Sequence, residues 1–373
     1  MTAQSQPFLH AAFTLTVEDF ELSMDLRINT ELVVIFGPSG AGKSMLLRTL
    51  AGLLTPDQGR IELGGQVIYD SSQRICLAPQ ARRIGFMPQQ YALFPHLSVA
   101  ENITYGLFRW PAAERTERLQ ELVSIMRLDH VIDRRPPEIS GGEQQRTALA
   151  RALAPRPSIL LMDEPFAALD EVLREHLRQE LVRLQRKFEI PILLVTHNLV
   201  EAYTLADRVV VFQAGRIAQE GTRDDVFRRP ASPAIAELIA MNNVIQVKLD
   251  QRRSNEVELH WWGQKLLLQG EFPGHSGDDL TIGIRPEDIM IVRKESKPLR
   301  QEGDIFFEGI LVEDQARGFD HRLTFRIQHA PENAAELIVR VPHPIFLRLI
   351  LSRGDLRTLA VRPNTIHVFK PLA

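Results

Sequence analysis

Apolar residues in the first half of the chain gather into short, nearly unbroken runs. Leu32-Val-Val-Ile-Phe36, Ser158-Ile-Leu-Leu-Met162, Ile192-Leu-Leu-Val-Thr196 and Arg208-Val-Val-Val-Phe212 are four of them. Runs of this length, rich in Val, Ile and Leu, suit strands covered on both faces. Helix-like segments lie between them, so the pattern predicts a mostly parallel sheet flanked by helices, an α/β fold. The last run is followed by Ala214-Gly215 and then Arg216-Ile-Ala-Gln-Glu220, which predicts a hairpin ending the sheet. Between Ser98 and Arg135 the strand pattern stops. There Leu119, Leu122, Val123 and Met126 recur at helical spacing and predict a helical insert.

A boundary follows at Arg229-Pro-Ala-Ser-Pro233, where two prolines and small residues interrupt the pattern. The expected division is a first domain over 1–230 with a helical subdomain at about 90–150, a linker helix over 231–243 reaching to about Met241, and a β-rich domain over 244–373 of short β-branched runs broken by glycine turns. This last region contains an echo. Leu280-Thr-Ile-Gly-Ile-Arg285-Pro286-Glu-Asp-Ile289-Met-Ile291 matches Arg357-Thr-Leu-Ala-Val-Arg362-Pro363-Asn-Thr-Ile366-His-Val368 in apolar alternation and in its central Arg-Pro. Shared composition of two strand-turn-strand elements is one explanation; duplication of a small barrel unit is the other, and the common Arg-Pro favours it.

At 373 residues the chain is long enough for two domains and a substantial core. Charge changes the picture only by exclusion. Lys and Arg total 44 against 47 Asp and Glu, and from Val244 to Ala373 there are 18 basic and 18 acidic side chains, so neither the chain nor its tail carries the basic footprint of a nucleic-acid clamp. Cys76 is the only cysteine, so no intramolecular disulfide forms, which suits a reducing compartment. Met1-Thr-Ala-Gln-Ser-Gln-Pro7 lacks the charged and apolar regions of a secretory signal. No apolar run approaches the roughly 18 residues of a membrane helix, so service to a membrane process requires another chain to span it.

The candidate chemistry begins directly after the first apolar run. Gly37, Pro38, Ser39, Gly40, Ala41, Gly42, Lys43 and Ser44 fit G-x-x-x-x-G-K-[ST] between a predicted strand and a predicted helix. Small residues let consecutive backbone N–H groups turn inward around the β- and γ-phosphates of ATP, Lys43 adds a point charge, and the Ser44 hydroxyl suits a Mg²⁺ ligand. A chance match in a chain this long is about one in a hundred. Asp163 follows four apolar residues at the carboxyl end of a strand expected beside this loop. It suits the Mg²⁺ shell, and Glu164 suits the base that polarises the attacking water. Alone, an apolar run ending in Asp-Glu is usually a strand leaving the core; behind a phosphate loop it becomes specific. His197 ends the next predicted strand, where an imidazole suits a contact to the γ-phosphate.

With these residues in place the chain resembles the ATP-binding subunit of an ABC transporter. Ile139-Ser140-Gly141-Gly142-Glu143-Gln144-Gln145-Arg146 is similar to the family signature written LSGGQ, with Ile139 and Glu143 replacing its end residues; Gln89 matches the Q-loop glutamine, Ala168-Leu169-Asp170 the D-loop and His197 the H-loop histidine. All fall in the family's order, from Phe13 to about Gly221. The resemblance implies ATP and Mg²⁺ as cofactors, with Ser44, Gln89 and Asp163 around the metal and Glu164, His197 and Gln89 in catalysis. It further implies a head-to-tail homodimer in which Ser140, Gly141 and Gly142 of one copy meet the γ-phosphate held by the Lys43 loop of the other, with Asp170 at the same junction. Phe20 is the candidate adenine-stacking aromatic, with a core phenylalanine as the alternative.

The stretch from Tyr91 to Gly106 resembles importer ATPases, in which it contacts membrane-spanning permease subunits; internal packing of the helical insert is the other reading. Ile282-Gly-Ile-Arg-Pro-Glu-Asp-Ile289 resembles the OB-like accessory domain called TOBE. Val67 to Phe86 most resembles molybdate-type importers, with sulfate, ferric iron, sugar and polyamine as alternative cargoes. The resemblance places the chain peripherally at the cytoplasmic face of the inner membrane, with a solute-binding protein as an indirect partner and no nucleic acid. The rival classes are a soluble ABC-type ATPase of nucleic-acid repair or translation, and a nucleotide-binding regulator that never turns over, which the intact Glu164 and His197 oppose.

Overall fold

The computed structural model of the chain describes residues 7–167, 169–253, 256–269, 275–292, 303–328, 330 and 336–369. The chain folds as two units, Met1–Val226 and Phe227–Ala373. In the first unit, the strands are β1 (Leu9–Val17), β2 (Phe20–Ile28), β3 (Leu32–Phe36), β4 (Gln58–Leu63), β5 (Gln66–Asp70), β6 (Ile75–Cys76), β7 (Ile84–Met87), β8 (Ile159–Asp163), β9 (Ile192–Thr196), β10 (Arg208–Gln213) and β11 (Arg216–Thr222). The helices of this unit are α1 (Lys43–Ala51), α2 (Val99–Thr104), α3 (Ala112–Met126), α4 (Gly141–Leu153), α5 (Glu171–Phe188) and α6 (Leu199–Leu205). The division between units falls inside α7 (Arg223–Arg228).

The central sheet has the order β11-β10-β3-β9-β8-β7 and is parallel from β10 to β7. Every residue of β3, β8 and β9 is buried, which is why these strands read as continuous apolar runs. The closing hairpin turns through Ala214 and Gly215, both at positive φ (45° and 77°), the geometry that matches the twist of its strands. A second sheet, β2-β1-β4-β5-β6, is antiparallel. Its inward residues Leu9, Ala11, Phe13 and Leu15 on β1 and Leu22, Met24, Leu26 and Ile28 on β2 share one core cluster with Val33, Ile35, Leu46 and Leu47. One face of the central sheet and α1 are therefore covered by strands as well as helices. At the far end of α1, the buried guanidinium of Arg82 donates to the carbonyls of Thr49 and Leu50 in the last turn at 2.9 Å and to that of Leu77 at 2.9 Å, tying the helix end to the chain before Arg82.

The first helix wholly within the second unit is α8 (Pro233–Leu238), shorter than a helix running to Met241. Its chain turns out of helical geometry with Ala240 at φ 59°. The strands that follow are β12 (Asn243–Arg253), β13 (Glu256–Trp261), β14 (Gln264–Gln269), β15 (Asp279–Ile284), β16 (Met290–Ile291), β17 (Ile305–Ala316), β18 (Asp320–Ile327), β19 (Glu336–Pro342), β20 (Leu356–Val361) and β21 (His367–Val368), with α9 (His343–Leu349) before β20. Two sheets of the same order result, β14-β13-β12-β15-β21 and β19-β18-β17-β20-β16, and their inner faces form a single core.

The two echoing segments occupy equivalent places in these sheets. Each is a strand, a 3-10 turn opened by the proline of its Arg-Pro, and a two-residue strand. The short strands are exchanged: Ile291 pairs with Leu359 in one sheet, and Val368 pairs with Ile282 in the other. Irregularities fall at matching places too, between Leu249 and Gln251 on β12 and between Leu311 and Glu313 on β17. The β-rich region is a pair of duplicated OB/TOBE-like half-barrels. Asn243, 3 % exposed, also ties the sheets together, exchanging hydrogen bonds with the Ile338 carbonyl (2.8 Å) and N–H (2.7 Å).

Candidate functional site

The carboxyl ends of β3, β8 and β9 bring the candidate residues together. The loop from β3 into α1 approaches β10 so closely that a Cβ on Gly37 would lie 2.1 Å from the Phe212 carbonyl oxygen, so only glycine fits there. Gly42 ends the loop at φ 97°, a conformation L side chains rarely adopt, and begins α1 with its first N–H groups unused by the helix. Lys43, 7 % exposed, donates from Nζ to the carbonyls of Gly37 and Pro38, each at 2.8 Å. Burial lowers its pKa, against the raising influence of Glu164 and Asp163.

Ser44, one residue on, donates from Oγ to Oδ1 of Asp163 at 3.1 Å. Asp163 is 4 % exposed, and burial raises its pKa despite this hydrogen bond. A hydroxyl and a buried carboxylate side by side at the phosphate loop are hard oxygen donors in the small number that Mg²⁺ takes from protein when phosphates and water supply the rest. Gln89 lies two residues beyond β7, whose Met87 is in register with Met162, so it leaves the sheet beside Asp163. Glu164 has φ 48°, an uncommon conformation held by its N–H to the Val195 carbonyl at 3.0 Å. Its Oε1 lies 2.6 Å from Nδ1 of His197, with the ring N–H donating; the glutamate side chain is 13 % exposed and the imidazole 60 %. A carboxylate and an imidazole thus stand paired beside the lysine, with the histidine open to solvent.

Phe20 opens β2 and packs half-buried against the core, yet its ring also lies against the start of α1, 2.8 Å from where a Cβ on Gly42 would be. It flanks the phosphate loop and belongs to the core at once.

The Ser140 segment is not brought into this cluster. Among the described residues no hydrogen bond links Ser140, Gly141 or Gly142 to Lys43, Ser44, Asp163, Glu164 or His197. Ser140 caps α4 in a reciprocal box with Glu143: its N–H and Oγ donate to Oε2 of Glu143 at 2.8 and 2.7 Å, and its Oγ accepts from the Glu143 N–H. His130 Nε2 stands 2.7 Å from the other carboxylate oxygen. Glu143 is held below the usual carboxylate range chiefly by the Ser140 hydroxyl. Asp170 caps α5, accepting from the Leu173 N–H at 3.0 Å; Ala168 of the same motif lies outside the described residues.

Two residues join these parts: Tyr91, which opens the importer-like stretch, and Arg151, which no motif singled out. After Gln89 the chain turns through Tyr91 and Ala92 at φ 59° and 46°, and Arg151 on α4 grips the turn, donating to the Ala92 and Tyr91 carbonyls at 2.7 and 2.6 Å. The Tyr91 hydroxyl donates to the carbonyl of Pro165 at 3.3 Å, and burial pushes its pKa up to about 12. The segment after Gln89 is therefore bound both to the helix that Ser140 caps and to the chain just past Glu164. No sequence motif marks Arg151 for this: in a helix that also carries Glu143, Gln144, Gln145 and Arg146 it is one polar residue among several.

Residues 21–167 match the family model described as ABC transporter. The chain is 40 % identical over 265 residues to the molybdate/tungstate import ATP-binding protein WtpC of Thermococcus kodakarensis, covering 70 % of this chain and 75 % of that one. It is 44 % identical over 272 residues to the sulfate/thiosulfate import ATP-binding protein CysA 2 of Chromobacterium violaceum, 73 % and 71 % of the two chains. Among solved structures, a dimeric ATP-binding cassette in a post-hydrolysis state, bound to ADP and Pi, is similar with a TM-score of 0.50 and 29 % identity over 58 % of this chain and 98 % of that one.

The buried aspartate makes a pH-dependent prediction. Because the folded-state pKa of Asp163 lies above its unfolded value, the folded chain binds that proton more tightly, and this group's contribution to stability falls as pH rises through the raised pKa. Asp163→Asn stays neutral and escapes that fall. The melting temperature of the nucleotide-free variant should gain on the wild type as pH rises above the ordinary carboxylate range; a difference that does not grow with pH contradicts the assignment.

Proposed function

We propose that this chain, which belongs to the ABC transporter family, is the ATP-hydrolysing subunit of an importer and works as a head-to-tail pair of copies. The observation that carries the reading is the juxtaposition of Glu164 paired to His197 with Ser44 paired to Asp163, all beside the buried Lys43. In this reading Gly37 to Ser44 cradle the β- and γ-phosphates with inward N–H groups, and Lys43 exchanges its loop carbonyls for phosphate oxygens. Ser44, Asp163 and Gln89 hold Mg²⁺, which supplies charge neutralisation on the phosphates when bound. Glu164 orients and polarises the attacking water, with His197 fixing its carboxylate and facing the γ-phosphate. Phe20, beside the loop, stacks on adenine.

Ser140, Gly141 and Gly142 complete the phosphate cage from the second copy. Their helix start is a second anion-binding nest, exposed at Ser140 and Gly141 and isolated from the first within one chain. Asp170, at the head of α5, lies at the same junction. A dimeric solved relative supports this pairing. Closure would then pull, through Tyr91 and Arg151, on the segment after Gln89 and so on permease subunits. No helix among the described residues is long and apolar enough to cross a membrane, in keeping with a peripheral subunit at the cytoplasmic face of the inner membrane. The balanced charge of the β-rich domain speaks against the rival reading in nucleic-acid repair or translation.

The cargo proposed is molybdate, tungstate or a related tetrahedral oxyanion, delivered by a solute-binding protein, in line with the molybdate/tungstate relative; the sulfate/thiosulfate relative favours sulfate as the second reading.

Glu164→Gln should leave ATP binding intact, lower turnover by about a hundredfold or more and accumulate an ATP-bound dimer detectable by size-exclusion chromatography. Normal turnover in this variant would refute the base assignment. In a transporter reconstituted with its neighbouring permease and binding protein, wild-type ATP hydrolysis should rise with molybdate- or tungstate-loaded binding protein; a rise with sulfate alone transfers the assignment to the second reading.

A further inference from the structure

Behind His197 lies a buried polar chain that, among the described residues, makes no hydrogen bond to the phosphate loop or to Asp163. Thr196, the last residue of β9, is fully buried, and its Oγ1 donates to Oε2 of Glu201 at 2.5 Å. The same hydroxyl accepts the N–H of Asn198 at 3.0 Å, so one oxygen spans the backbone on both sides of His197. Asn198 in turn caps α6, accepting from the N–H groups of Val200 and Glu201. Glu201 is 3 % exposed, and its other oxygen faces Nη2 of Arg178 on α5 at 3.3 Å. Arg178, also 3 % exposed, reaches Glu171 and Glu175 at 3.4 and 3.3 Å. Glu171 is the first residue of the helix that Asp170 caps.

Such a pair is costly to bury, and a well-packed apolar pair would often be as stable, so its presence needs a reason other than stability. Its place supplies one. The His197 side chain is 60 % exposed, and among the described residues Glu164 is the hydrogen-bond partner of its ring, so packing does little to aim it. Besides Glu164, what holds the imidazole in place is the backbone on which it stands. That backbone is held by the Thr196 hydroxyl, the hydroxyl by Glu201, and Glu201 by a guanidinium on α5.

We propose that Thr196, Glu201 and Arg178 are positioning residues for ATP hydrolysis: they hold the backbone on either side of His197 and tie it to the helix headed by Asp170. The proposal deepens the assignment of His197 to the γ-phosphate and rests on it. A displacement of a catalytic group by about 1 Å costs on the order of a hundredfold in rate while leaving ground-state binding largely unchanged.

The test is ATP hydrolysis by the full chain. Thr196→Val, which keeps the shape and removes the hydroxyl, should lower kcat by about ten- to a hundredfold with the KM for ATP nearly unchanged, and Thr196→Ser should restore it. In a His197→Ala background Thr196→Val should cost nothing further. The proposal is overturned if Thr196→Val turns over normally, if KM rises in step with the loss, or if the loss persists in the His197→Ala background. A His197→Ala chain that itself turns over normally overturns the role of His197 and this proposal with it, and is told apart by that single variant. Should Thr196→Val fail to fold, Glu201→Gln, which keeps the shape and an acceptor, is judged by the same kcat, KM and background criteria.

Discussion

A lysine and an aspartate, each less than a tenth exposed, stand at the carboxyl edge of the central sheet, and the first unit is arranged around their burial. Neither charge is cheap to keep there. Lys43 is satisfied for the moment by two carbonyls of its own loop, and Asp163 by a single hydroxyl. On the proposed reading a ligand offers each of them more: phosphate oxygens to Lys43 and a divalent cation to Asp163. Holding them at this distance requires β3 and β8 on either side of β9, a loop pressed against β10, and a helix anchored at its far end by Arg82. The antiparallel sheet completes the core under that helix.

The same physics explains why the site reads as unfinished. A helix start draws an anion towards its first N–H groups. Ser140 caps such a start, its own hydroxyl and N–H engaged by Glu143 within the turn, and among the described residues no hydrogen bond joins it or the two glycines after it to the Lys43 loop. Two nests on one chain that do not meet are economical only if two chains do. On the proposed reading, the links from α4 through Arg151 to the segment after Gln89, and from that segment through Tyr91 to Pro165, are the route by which closure is passed outward.

Much of this was legible in the sequence because it depends on local rules. Continuous apolar runs are what doubly covered strands demand, so β3, β8, β9 and β10 were foreseen within a residue or two. The antiparallel sheet was overlooked although Leu9, Ala11, Phe13 and Leu15, then Leu22, Met24, Leu26 and Ile28, alternate with period two, the mark of strands buried on one face. The Arg-Pro echo announced duplication, but exchange of the short strands is a long-range pairing that no local pattern encodes. Thr196, Glu201, Arg178 and Arg151 were invisible for a related reason. Each is an ordinary residue in its segment and acquires meaning only from partners brought near by the fold.

The most direct test of a site divided between two copies is complementation. Lys43→Ala disables the phosphate loop, and Ser140→Asp keeps a capping residue for α4 while placing a negative charge where phosphate should sit. Each variant alone should be inactive. Mixed in equal amounts and allowed to exchange partners, they should hydrolyse ATP, because one of the two sites in a mixed pair has both halves intact. A mixture no more active than the sum of its parents would contradict the division of the site between copies.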